Sequence, residues 1–156
     1  MRISQLLNED NVFITLQAGN KEEAITKLVK SLKNQFPENK VDDALHAVLE
    51  REAIMSTGVG KGLAIPHGKC AGLEQSHVAF AILDKPLDYG SIDNQPVSMI
   101  FLLIGPDSQN SKHIKMLSRV SRLMNNAVFR DKLLQCEDKE SILALFKEEE
   151  AQFIRA

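Results

Sequence analysis

Two runs, residues 77–83 (HVAFAIL) and 97–104 (VSMIFLLI), are apolar at almost every position. A strand with one wet face alternates apolar and polar residues, so an unbroken run requires cover on both faces. Both runs fall well short of the roughly 20 residues needed to cross a membrane as a helix. They are expected to be central strands of a covered sheet. Residues 84–96 between them carry Pro86, Gly90, Asp93, Asn94 and Pro96 and read as turns.

Segments of helical periodicity surround this pair. Ala24, Ile25, Leu28, Val29 and Leu32 repeat at helical spacing and predict a helix over 21–36, stopped by Pro37. Val41, Ala44, Leu45, Val48 and Leu49 make a second stripe, with Asp42 and Asp43 at the favourable end of its dipole. A long helix is expected over 110–124, with short ones around 129–134 and 139–147. Val12-Phe13-Ile14-Thr15-Leu16 reads as a first strand and Leu63-Ala64-Ile65 as a short one halted by Pro66. Helices outside and apolar strands inside imply an α/β layered fold. At 156 residues the chain suits one domain, 1–156.

The net charge of −2 offers no basic excess for sequence-blind nucleic-acid binding. Cys70 and Cys136 stand without a Cys-x-x-Cys spacing, which suits a reduced, cytoplasmic setting. The N-terminal residues meet Asn8, Glu9 and Asp10 too early for a signal peptide, so a soluble intracellular protein without membrane insertion is expected.

Thr57-Gly58-Val59-Gly60-Lys61-Gly62 reads as a loop. It fails as a phosphate-binding P-loop because Gly62 follows Lys61, and as a dinucleotide fingerprint because Leu63 or Ile65 occupies the last position. No Gly-x-Ser-x-Gly elbow or His-Glu-x-x-His pair is present. No cofactor or metal is implied. The acidic stretches Glu22-Glu23 and Glu148–Glu150 read as solvated faces.

Four histidines remain. His46 reads as a surface residue and His77 as a satisfied boundary residue. His67 lies between Pro66, which fixes a backbone torsion, and Gly68, which leaves room for an approaching partner. Gly58, Gly60 and Gly62 upstream could present backbone N–H groups to an anion. A neutral imidazole with a pKa near ~6.5 suits a phosphoryl acceptor; a tight structural turn is the other reading. His113 opens the 110–124 helix on its Leu117–Val120–Met124 stripe, either packed or aimed at a phosphate near an electropositive helix end. Arg51 sits near a helix C-terminus, either for the dipole or to address phosphate.

Arg51-Glu52 together with Ser56-Thr57-Gly58-Val59-Gly60-Lys61-Gly62-Leu63-Ala64-Ile65-Pro66-His67-Gly68-Lys69 resembles the active-site segment of enzyme IIA domains of the bacterial phosphotransferase system, fructose/mannitol type. Ile92-Asp93-Asn94-Gln95-Pro96-Val97 and Lys112-His113-Ile114-Lys115-Met116-Leu117 extend the resemblance over essentially the whole chain. It implies a mixed, mostly parallel sheet flanked by helices on both faces. It also implies phosphorylation of His67 at Nε2 by the phosphohistidine of HPr or its nitrogen-branch relative, with His113 and Arg51 in support and Thr57, Gly58, Gly60, Gly62 and Gly68 in the supporting loop. The chain ends without a fused transport module, which is more like the nitrogen-related branch. That branch implies regulation of target proteins by phosphorylation state; the sugar-specific branch implies delivery to a IIB domain. Lys61, Lys69, Lys112 and Lys115 are candidates to ring the site.

Overall fold

The computed structural model describes residues 2–155. In chain order it contains α1 (Ile3–Leu6), β1 (Val12–Leu16), α2 (Lys21–Lys30), a 3-10 turn at Glu38–Lys40, and α3 (Val41–Ile54). Next come β2 (Gly58–Gly60), β3 (Leu63–Ala64), β4 (His67–Cys70), β5 (His77–Leu87) and β6 (Val97–Pro106). Three helices close the chain: α4 (Asn110–Met124), α5 (Ala127–Leu134) and α6 (Lys139–Arg155).

The six strands form one mixed sheet in the order β1-β5-β6-β3-β2, with β4 also on β6. Three of the five pairings are parallel (β1–β5, β3–β6, β4–β6), while β5–β6 and β2–β3 are antiparallel. The two apolar runs are neighbours at its centre, His77 opposite Ile104 and Ile82 opposite Met99. Strand periodicity sorts their side chains into two cores. Ala79, Ala81, Leu83, Ile100, Leu102 and Ile104 pack with α2 and α3. Val78, Phe80, Ile82, Met99, Phe101 and Leu103 pack with α1, α4, α5 and α6. The double cover expected of unbroken apolar strands is present, and the fold is an open α/β sheet with helices on both faces.

Several boundaries differ from the sequence expectation. α2 ends at Lys30 rather than near Phe36 because its hydrogen bonds tighten: the Leu32 N–H reaches Val29 O and the Lys33 N–H reaches Lys30 O. Leu32 and Phe36 stay buried in the turns that follow, so apolar spacing persisted after the helix had ended. β5 runs on to Leu87 through Asp84, Lys85 and Pro86, which composition had assigned to turns. α6 continues to Arg155. Its Glu150 is fully buried, not solvated, and accepts the N–H groups of Ile3 and Ser4 at 2.6 and 2.9 Å. Four unpaired N–H groups at each helix start explain why a carboxylate is tolerated there. Among the described residues, no helix is long and apolar enough to cross a membrane.

Candidate active site

Pro66 breaks the strand on the outer edge of β6 into two pieces. β3 pairs with Met99 and Ile100; after Ile65-Pro66 the chain rejoins the same edge as β4, placing His67 beside Leu103. Proline lacks an N–H for the ladder, yet its carbonyl still accepts from Leu103 N at 3.1 Å. His67 thereby becomes the first residue of a strand, not part of a turn. Its Nδ1 lies 3.0 Å from Ile65 O. A carbonyl only accepts, so Nδ1 carries the proton and Nε2 keeps its lone pair.

β4 alternates faces, so Gly68 points the opposite way, toward α3. A Cβ there would meet Val48 N at 3.0 Å and Val48 Cγ2 at 3.1 Å. The absent side chain makes room for α3, correcting the expectation that it opens the site to a partner. On the other face, α4 brings His113 over the end of β6. The two imidazoles stand with centroids 6.0 Å apart and planes tilted by 47°. His113 is only 4% exposed and its Nδ1 has no hydrogen-bond partner among the described residues.

Electrostatics keep both rings neutral. Burial lowers the His67 pKa, opposed by the bond to Ile65; the Arg51 charge lowers it further while Glu52 raises it. Burial lowers His113 to about 4, helped by the His67 and Lys69 charges. Burial disfavours the charged imidazolium at both rings, and a charge on His67 disfavours one on His113. Arg51 comes from the last turn of α3, half-buried, with Nη1 donating to Met55 O at 2.9 Å. Its charge is felt at His67 without a direct bond.

Glu52 is the site's unanticipated member. Fully enclosed beside Arg51, it accepts the Thr57 N–H at 3.0 Å and the Thr57 hydroxyl, and pairs with Lys21 Nζ at 3.3 Å. Tyr89 OH lies 3.1 Å from Thr57 Oγ1, and burial raises the Tyr89 pKa. This network ties α3 to the segment entering β2. An acidic residue at a helix end adjoining a conspicuous arginine gave only a faint signal of it.

The glycine-rich stretch departs from its expected role as a bare anion cradle. It is the β2–β3 hairpin, with Gly60, Lys61 and Gly62 all at positive φ. The Gly58 N–H donates to Ser56 Oγ at 3.1 Å and the Lys61 N–H to Asp93 at 3.0 Å. Lys61 Nζ reaches Asn125 at the C-terminal end of α4, about 18 Å along the helix from His113. Lys61 is thus outside the histidine corner. Lys69 belongs to it, held by Asn110 at 2.9 Å. Lys112 and Lys115 are exposed on α4 beside a cavity of about 350 Å³ that Glu74 and Arg119 also line. His46 is exposed, 3.3 Å from Glu50, and His77 is buried against Phe36 with Nδ1 at 3.2 Å from Gln35. Among the described residues no group of three or more His, Cys, Asp or Glu is placed to hold a metal ion.

An open mixed sheet thus brings two histidines, each with its pKa lowered by burial, together at one strand edge. Residues 5–149 match the family model described as phosphoenolpyruvate-dependent sugar phosphotransferase system, EIIA 2, and the chain belongs to that family. It is therefore a phosphotransferase component of a class working through phosphohistidine. It is 33% identical over 145 residues to a nitrogen regulatory protein of Bradyrhizobium diazoefficiens, covering 93% of this chain and 94% of the relative. It is 31% identical over 148 residues to the fructose-specific EIIABC component of Bacillus subtilis, covering 95% of this chain but 23% of that larger protein. Among solved structures, the nitrogen regulatory protein IIA-Ntr of Neisseria meningitidis superposes with a TM-score of 0.85 at 27% identity, covering 92% of this chain and 98% of that one.

Proposed function

We propose that His67 is the phosphoryl acceptor and that it reacts through Nε2. The observation carrying this reading is the Nδ1–Ile65 O contact, which fixes the tautomer and leaves a lone pair on Nε2. Attack forms a new N–P bond as the P–N bond of a phosphohistidine donor breaks. The electron pair of the broken bond returns to the donor nitrogen. The Nδ1 proton stays on His67, and Ile65 O stabilises the positive charge the ring acquires. Such transfer depends on positioning and charge stabilisation more than on proton relays. His113, Arg51 and Lys69 supply positive or donor groups beside the acceptor.

The donor on this reading is HPr or a nitrogen-branch HPr-like phosphocarrier, in the cytoplasm. Incubation with phosphoenolpyruvate, enzyme I and such a donor is expected to load one acid-labile phosphate per chain. His67→Ala should load none; labelling that survived the substitution would sink the assignment.

We favour a regulatory outcome, in which target proteins distinguish the phosphorylated from the free form. The likeness to a nitrogen regulatory protein along 94% of its length supports this. Phosphorylation adds about −1.5 to −2 charges at a corner beside Lys69, enough to recruit or repel a partner. The second reading, transfer onward to a sugar-specific IIB domain, is supported by the nearly equal identity to the fructose component. Mixing the phosphorylated protein with a purified fructose-type IIB separates them: transfer as fast as loading would replace the regulatory reading by the sugar one.

A further inference from the structure

His113 occupies a notch that one residue of β6 makes possible. From Met99 onward the odd-numbered residues of this strand face α4, with Met99, Phe101 and Leu103 packed there. Gly105 is next in that series and carries no side chain. A Cβ built on it would stand 2.5 Å from His113 Nδ1, 3.4 Å from Cγ and 3.5 Å from Cε1. No relaxed contact is that short, so an alanine at this position and the observed imidazole exclude each other. Nothing about the backbone demands glycine here, because Gly105 is not among the glycines at positive φ. Its ladder is ordinary too: Lys69 of β4 is its partner, two steps after His67 meets Leu103. The three heavy atoms nearest the missing side chain all belong to the ring of His113.

We propose that Gly105 is a positioning residue for phosphoryl transfer. It seats the Nδ1 corner of His113 against the strand and so sets the 6.0 Å ring spacing to His67. The inference rests on the reading of His67 and His113 given above. Gly105 acts through His113 and touches no reacting atom. A methyl group forces the ring outward by several tenths of an ångström or more, and misplacement of about 1 Å in a reacting constellation can cost roughly 100-fold.

Gly105→Ala therefore isolates the notch without backbone strain. Gly19→Ala, where a Cβ would have only an ordinary contact at 3.4 Å, serves as the control. In transfer from an HPr-type donor, Gly105→Ala is expected to slow loading by about tenfold or more and Gly19→Ala to leave it unchanged. Gly105→Ala should add nothing further in a His113→Ala background. Long-range proton–nitrogen spectra of the imidazoles should show His113 shifted in Gly105→Ala, with His77 unmoved. Wild-type loading and unshifted His113 signals in a folded Gly105→Ala protein would overturn the proposal, as would slowing that persists undiminished without His113. If the variant does not fold, the wild type decides alone: a nuclear Overhauser contact between the His113 ring and the Gly105 α-protons is expected, and its absence overturns the placement. Should His113→Ala load at the wild-type rate, the supporting role of His113 falls, while the ring contact still reports on the notch.

Discussion

The glycine hairpin and the histidine corner lie at opposite ends of α4, and their sequence prominence is the reverse of their chemistry. The hairpin holds three glycines in five residues and uses them for geometry: positive φ at the tip, and at Gly58 the absence of a Cβ that would collide with Ser91. The corner is assembled from residues 46 positions apart, His67 and His113, neither embedded in a cluster of reactive types. Glycine density reports how tightly a chain must turn. A pair of neutral rings meeting at a strand edge reports what the molecule can do.

The comparison is tested most severely where the two regions join. Glu52 holds Thr57 at the hairpin's entrance and stands one residue from Arg51 at the corner. Glu52→Ala leaves the buried N–H and hydroxyl of Thr57 without their carboxylate, removes the partner of the partly exposed Lys21 ammonium, and is expected to cost about 3 kcal/mol in chemical denaturation. A loss under about 0.5 kcal/mol would mean that the network does not join the regions. Next, Gly60→Ala strains a residue at φ +95° against Asp93, 3.1 Å from the added Cβ. It should cost about 1–2 kcal/mol and still load one phosphate at completion. A loss of loading would return the hairpin to the acceptor site.

Acid titration separates the regions by pH window. His67, His77 and His113 have pKa values lowered by burial, His113 to about 4. Between the unfolded value near ~6.5 and those lowered values, the unfolded chain binds more protons, so stability falls as pH drops through that interval. In His113→Ala the decline should be shallower. Asp93, which anchors the hairpin, has a pKa lowered by the backbone N–H groups of Lys61 and Gln95. Its contribution is present above the ordinary aspartate value and is lost only in stronger acid. Equal acid slopes in wild type and His113→Ala would remove the corner from this account. The smallest effect is expected for Lys61→Ala, below about 0.5 kcal/mol, because its bond to Asn125 is exposed.

Much of this was legible in the sequence. Full apolarity of the two central runs required cover on both faces, and helical spacing over 110–124 located α4 with its bounds correct. Boundaries failed where spacing and hydrogen bonding part company. Leu32 and Phe36 remain on the inward side after α2 has tightened into turns, and Glu150 looks solvated until the N-terminal turn closes over it. A short strand halted by Pro66 is legible from proline's missing N–H, and β3 ends at Ala64 just before it. That the chain would resume on the same edge, making His67 a strand residue, needed a partner 36 residues away at Leu103.

By itself, then, the sequence determined the layered α/β class, the covered central strands, the family resemblance and the candidacy of His67, His113 and Arg51, because periodicity and motif are local properties. Tertiary structure alone decided the His67 tautomer, the burial that keeps both rings neutral, the carboxylate network at Glu52 and the notch at Gly105. Each depends on which atom of a distant residue stands within a few ångströms, and sheet register and helix packing fix that only in the assembled fold.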